Sequence, residues 1–248
     1  QYVYGGDLAG NLWRFDIDGL TVQKLGQTSG TAGARPITGR PEVSRIRDVA
    51  GTYHRVVYVG TGRYLGANDV SGGSTPESTN QLLLAVKDTG ADLGNLTGVG
   101  ASLVQQTVDT SVTPRTIPTP QPVNWVNKNG WYVSIPLGER VTIEPRLQLG
   151  TVSYVANNPV DDYCALGGSS WLYALDYKTG GAITTQADNV VGISVDTKTI
   201  GTGLTIVRLP NGLLIAIVNT PDGTRTIQLP IDAAGAGSVR RVGYREIN

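Results

Sequence analysis

A short unit recurs along this chain: an apolar strand that ends on an aspartate and turns through glycine. It reads GDLAGNLWRFDIDG over Gly6–Gly19, NQLLLAVKDTG over Asn80–Gly90 and GGSSWLYALDYKTGG over Gly167–Gly181. A second apolar strand precedes each copy, as at Tyr2-Val3-Tyr4 before the first and Arg55–Val59 before the second. Asp16, Asp88 and Asp176 mark the blade turns, and Thr179 and Gly180 complete the last of them. The aspartates lie far enough apart for a four-stranded blade with decorating loops, which favours propeller blades over short solenoid coils.

Composition narrows the partners. Only 16% of residues are charged, Lys+Arg equals Asp+Glu at 20 each, and the pI is about 6.8, so no net field exists to hold nucleic acid or an anionic membrane. No apolar run approaches the roughly 20 residues of a membrane helix, so no membrane insertion is expected. Glycine and proline are plentiful and no long window carries apolar residues at helical spacing, which indicates an all-β chain. The chain opens at Gln1 inside a strand pattern, with neither an initiating methionine nor a signal segment, and is expected to be a fragment. Cys164 is a single cysteine with no internal disulfide partner.

Residues 1–25 read as a hairpin turning at Gly5–Gly10, followed by a loop to about Arg35. Strands are predicted within Pro36–Arg47 and over Tyr53–Gly60, Trp131–Ile135, Arg140–Ile143 and Thr151–Val155. A closing meander is predicted over Leu204–Leu209, Gly212–Val218 and Thr224–Leu229. The Ser/Gly-rich loop Ala67–Thr79 reads as exposed. The Thr/Pro-rich stretch Val108–Asn124 (108–124) reads as an inter-blade connector, since Pro114, Pro118, Pro120 and Pro122 remove backbone donors. Thr89–Leu103 is the one place where a brief helical turn is allowed for.

Catalytic parts are missing. His54 is the only histidine, so histidine triads and multi-histidine zinc sites lack their members, and it reads as a strand-end polar residue. Gly168-Ser169-Ser170 is no nucleophile elbow, because Trp171 continues a strand. Asp16-Ile17-Asp18-Gly19 has the front of a calcium loop but no later acidic ligand, which leaves a turn. Asp161-Asp162 beside Cys164 reads as a solvated pair. Arg240, Arg241 and Arg245 read as a basic group for an acidic partner or as an edge guard. No catalytic, cofactor or metal residue is assigned.

Ala174–Gly180 resembles the blade-docking motif of quinoprotein propellers, although the tryptophan that follows that motif is absent after Gly180, as are an adjacent cysteine pair and calcium ligands. A secreted quinoprotein-like enzyme and an outer-membrane assembly scaffold are the rival readings. Taken together, YVYGGDLAGNLWRFD (Tyr2–Asp16), PITGRPEV (Pro36–Val43), VVYVGTGRYLG (Val56–Gly66), NGWYVSIPLGERVTIEP (Asn129–Pro145), CALGGSSWLYALDYKTGG (Cys164–Gly181) and RRVGYRE near the end resemble the C-terminal propeller domain of the PilC/PilY family of type IV pilus tip-associated proteins. The resemblance implies the last three to four blades, roughly, of a modified propeller with long inter-strand loops over residues 1–248. It implies an extracellular protein of the pilus tip or bacterial outer surface that supports pilus extension against retraction and aids attachment. Its partners would be pilin or minor pilins and surface or host receptors, met through Ala67–Thr79 and Val108–Asn124. Calcium is implied for the longer protein, with ligands upstream of residue 1 and none in this chain. The family's Arg-Gly-Asp motif is missing. A partial ring is further expected to self-associate.

Overall fold

The computed structural model of the chain describes residues 1–28, 35–65, 69, 79–98, 100–160, 167–183 and 189–229. The fold is all-β, built from small sheets none of which closes on itself. The first sheet is a meander of β1 (Tyr2–Gly6), β2 (Asn11–Asp16) and β3 (Thr21–Gln27). The second contains, in order across it, β4 (Glu42–Arg47), β5 (Tyr53–Gly60), β6 (Leu82–Lys87), β9 (Gly130–Ser134) and β7 (Val104–Gln106). The third contains β10 (Arg146–Gln148), β11 (Thr151–Pro159), β12 (Gly168–Asp176), β13 (Val190–Asp196) and β8 (Arg115–Thr116). The fourth is the meander β14 (Gly203–Arg208), β15 (Leu214–Thr220) and β16 (Gly223–Leu229). Among the strand pairings of the described residues, only β7–β9 is parallel.

The sheets pack face to face in chain order, with an apolar core between each consecutive pair. Leu12 and Leu25 of the first sheet meet Val57, Val59, Leu82, Leu84 and Val86 of the second. On the opposite face of the second sheet, Val56, Tyr58, Leu83, Ala85, Trp131 and Val133 meet Val152, Tyr154, Ala156, Tyr173 and Leu175 of the third. Val155, Leu172 and Ala174 then face Leu204, Leu214, Ala216 and Val218 of the fourth. Side chains alternate along a strand, so a strand buried on both faces must be apolar throughout. β6 obeys this: Leu82, Leu84 and Val86 go one way, Leu83 and Ala85 the other. Sheets stacked in this manner make a β-propeller-like arrangement.

Several local expectations need correction. Residues 1–25 are not a two-stranded hairpin: Thr21–Gln27 adds a third strand and reaches two residues into the expected loop. Arg140–Ile143 is not a strand: Arg140 makes a single bridge to Asn157, and Val141 turns into the core instead. Among the described residues of Thr89–Leu103 no helical turn forms, because Gly94, Gly98 and Gly100 adopt φ of +67°, +99° and +79°, outside the right-handed region. Apart from Asp69 and Thr79, Ala67–Thr79 lies outside the described residues, as do Asp161, Asp162, Cys164, Arg240, Arg241 and Arg245.

Candidate functional site

The recurring aspartates sit in turns that follow a strand. Asp16 Oδ1 accepts the amides of Asp18 and Gly19, at 3.2 and 3.1 Å. Asp176 Oδ1 accepts the Lys178 amide (3.0 Å), the Thr179 amide (2.8 Å) and the Thr179 hydroxyl (3.0 Å). Such side-chain bonds to nearby amides let a carboxylate hold a tight turn without a metal. Asp88 differs. Its Oδ1 accepts the Gly90 amide at 3.0 Å and Arg14 at 2.9 Å, and its Oδ2 accepts the Tyr4 hydroxyl at 2.6 Å. Tyr4 and Arg14 belong to the first sheet, so this turn of the second sheet is held from its neighbour. Burial, then the bond to Asp88, pushes the Tyr4 phenol upward and keeps it a neutral donor.

The Asp176 turn is held from the second sheet in the same sense, by different chemistry. Tyr177 carbonyl accepts the Tyr58 hydroxyl at 3.1 Å and the Trp131 indole at 3.2 Å. Lys178 carbonyl accepts the Trp125 indole at 3.0 Å, and Thr179 carbonyl accepts Gln106 Nε2 at 2.7 Å. Three successive carbonyls are thus bonded by side chains of the second sheet and of the turn that leads into β9. Gly180, at φ +70°, lies flat against Trp131: a Cβ there would stand 2.4 Å from the indole Cδ2. A tryptophan, absent after Gly180 in sequence, is present against it in space as Trp131. A fourth turn was not singled out from the sequence. Asp196 Oδ1 accepts the amides of Lys198 (2.8 Å) and Thr199 (3.1 Å), while Oδ2 receives Arg225 Nε of the fourth sheet at 2.8 Å. The shared spelling Asp-x-Lys-Thr at 176–179 and 196–199 was the available signal.

Among curated proteins, a type IV pilus biogenesis factor PilY1 homolog of Xylella fastidiosa is 35% identical over 210 residues, 75% of this chain. Type IV pilus biogenesis factor PilY1 of Pseudomonas aeruginosa is 31% identical over 227 residues, 73% of the chain. A second Xylella fastidiosa homolog is 25% identical over 99% of it. The chain belongs to the PilC/PilY family. It spans only 14%, 19% and 21% of the length of these three relatives. No family model and no solved structure matches it.

In this PilC/PilY chain, the 108–124 stretch is more than a passage between sheets. Arg115 and Thr116 form β8, which adds to the third sheet beside β13, whereas β7 and β9 on either side of the stretch belong to the second. Pro114 and Pro118 flank β8, which suits its place at a sheet edge. Arg115 grips Glu139 through two bonds of 2.9 and 2.6 Å, and the Tyr173 hydroxyl donates to Glu139 Oε2 at 3.0 Å and also contacts Arg115. The Arg115 guanidinium stacks 3.6 Å from the Trp171 ring centroid. Burial works against its charge, yet Glu139 and Tyr173 raise its pKa on balance. Residues 110–114 and 118–122 remain exposed around this anchor.

Elsewhere the PilC/PilY chain presents turns and anchors. His54 Nε2 lies 2.7 Å from Asp48 Oδ2, which also accepts the Thr52 amide through Oδ1 and so closes the β4–β5 turn. Ser170 is buried and donates to the Thr199 carbonyl at 3.2 Å. At Asp16–Gly19 the Asp16 carboxylate accepts the amides of Asp18 and Gly19 and holds an ordinary turn. Among the described residues, no group of three or more His, Cys, Asp or Glu could hold a metal ion, and no helix is long and apolar enough to cross a membrane.

Proposed function

We propose that this chain is part of a type IV pilus biogenesis factor and acts there by binding rather than by catalysis. The observation that carries the reading is 31–35% identity to named PilY1 factors over about three quarters of the chain. Stacked sheets joined by buried side-chain bonds suit a rigid platform, with variable loops left for contact. On this reading the protein sits at the pilus tip or outer surface, biases the balance of extension and retraction, and meets pilin or minor pilins and surface receptors. Calcium, where the longer protein uses it, is held by residues outside 1–248.

The test is complementation of a strain that lacks the gene, using the longer protein with and without residues 1–248. Loss of surface pili and of attachment on removing 1–248 is the expected result; full piliation and attachment would sink the proposal. For partner contact, the segment to replace is 110–114, keeping Arg115 and Ile117, which are buried. Attachment should fall while pili persist. Equal attachment would remove that segment from the contact surface.

A further inference from the structure

At the junction of the first and second sheets, Arg14 and Arg55 share one buried carboxylate, Asp88, and the register sets Arg45 and Arg47 of β4 on the same face. β4 lies at an edge of the second sheet among the described residues, and its register places Arg45 directly opposite Arg55 and Arg47 opposite Tyr53. Directly opposed residues share a face with Cβ atoms about 5 Å apart, where like charges are destabilising. Arg55 is partly compensated: its NH1 lies 3.5 Å from Asp88 Oδ2 and 3.3 Å from the Tyr4 hydroxyl. But Asp88 is shared, because Arg14 of the first sheet already bonds its other oxygen at 2.9 Å. Arg14 and Arg55 stack on the same Tyr2 ring, each 4.7 Å from its centroid.

The neighbouring acids are engaged elsewhere. Asp48 serves His54 and the Thr52 amide, and Asp16 serves its own turn. Arg45 and Arg47 are exposed, and no carboxylate pairs with either among the described residues. In a chain of zero formal net charge and only 16% charged residues, this is a concentrated departure from balance. Guarding an edge strand accounts for charge on β4. It does not account for an arginine set opposite a second arginine, nor for a carboxylate divided between two sheets.

We propose that Arg45 and Arg47, backed by Arg55 and Arg14, dock a carboxylate-rich segment of a partner protein. Planar guanidinium forks match carboxylates in bidentate geometry, and arginine beside tyrosine is the composition of interface hot spots. The Tyr2 ring is already stacked against two guanidiniums and offers no platform for a nucleobase. A neutral chain also lacks the wide field that draws in a nucleic acid or a charged polysaccharide. This inference is independent of the pilus reading.

The test uses the 248-residue chain and fluorescently labelled poly-L-glutamate, read by anisotropy at low salt and again near the ionic strength where the Debye length falls to about 5 Å. Saturable binding is expected at low salt, weakened about tenfold by added salt and about tenfold by the double variant Arg45→Thr/Arg47→Thr. The double variant should melt close to the parent, since relief of the opposed Arg45–Arg55 pair offsets loss of the bond from Arg47 Nε to the Gly51 carbonyl. A second variant, Arg45→Lys/Arg47→Lys, keeps the charge but not the forks and should bind several-fold more weakly than the parent. No binding at low salt overturns the proposal, as does undiminished binding by the threonine or the lysine variant. Equally tight binding of alginate or duplex DNA also overturns it, because the surface would then read charge and not a protein segment.

Discussion

At the scale of single residues, stability rests on a few positions where backbone and side chain leave no alternative. Gly180→Ala combines a positive φ with a methyl driven into the Trp131 ring; it should cost about 2–4 kcal/mol, read as a lower urea midpoint with unchanged slope. Glu139→Gln leaves Arg115 buried with its charge uncompensated and should cost about 3 kcal/mol or more. Acid sensitivity resides in carboxylates held low in the folded state. Asp48 is depressed chiefly by His54, and Asp196 chiefly by the Lys198 amide and then by Arg225. A depressed folded pKa stabilises fully above the unfolded aspartate value of about 3.9 and is lost as pH falls through the folded value. Unfolding free energy should therefore decline below about pH 4, and Asp196→Asn should flatten that decline. An acid limb identical in parent and variant would contradict the assignment.

Elements show how far local pattern reaches. β5, β6, β11 and β12 were legible because both their faces are buried, which writes an unbroken apolar run into the sequence. β7, β8 and β10 are two or three residues long, too short for any period to register, and exist only because a longer neighbour offers an edge. β8 illustrates the dependence: Arg115 fixes it through Glu139, and the Ile117 amide bonds the Asn189 carbonyl at 2.9 Å. Arg115→Ala should raise hydrogen exchange at Ile117 and along β13 while leaving β5 and β6 protected. Protection unchanged at Ile117 would mean that the side chain does not anchor the strand. The aspartate turns were readable as turns, but not their partners, since Tyr58, Trp125 and Trp131 approach Asp176 from far along the chain.

For the whole molecule, the ends of the stack are the exposed feature. Val3, Phe15 and Val22 form one cross-strand row on the outer face of the first sheet, at 43%, 38% and 58% exposure. Val207 and Ile215, paired in register, lie on the outer face of the fourth. Isolated, the chain should cover such faces with a second copy, giving a mass by light scattering that grows with concentration and falls on Phe15→Ser. A monodisperse monomer with a high melting temperature refutes this. The sequence by itself determined the all-β class, the central strands and the aspartate turns, because alternation, β-branching and Asx-turn chemistry act over a few residues. Tertiary structure alone decided which sheet supplies the indole at Gly180, how 108–124 is anchored, and that Arg45 faces Arg55. Those outcomes depend on register and packing between segments distant in sequence, which no local pattern encodes.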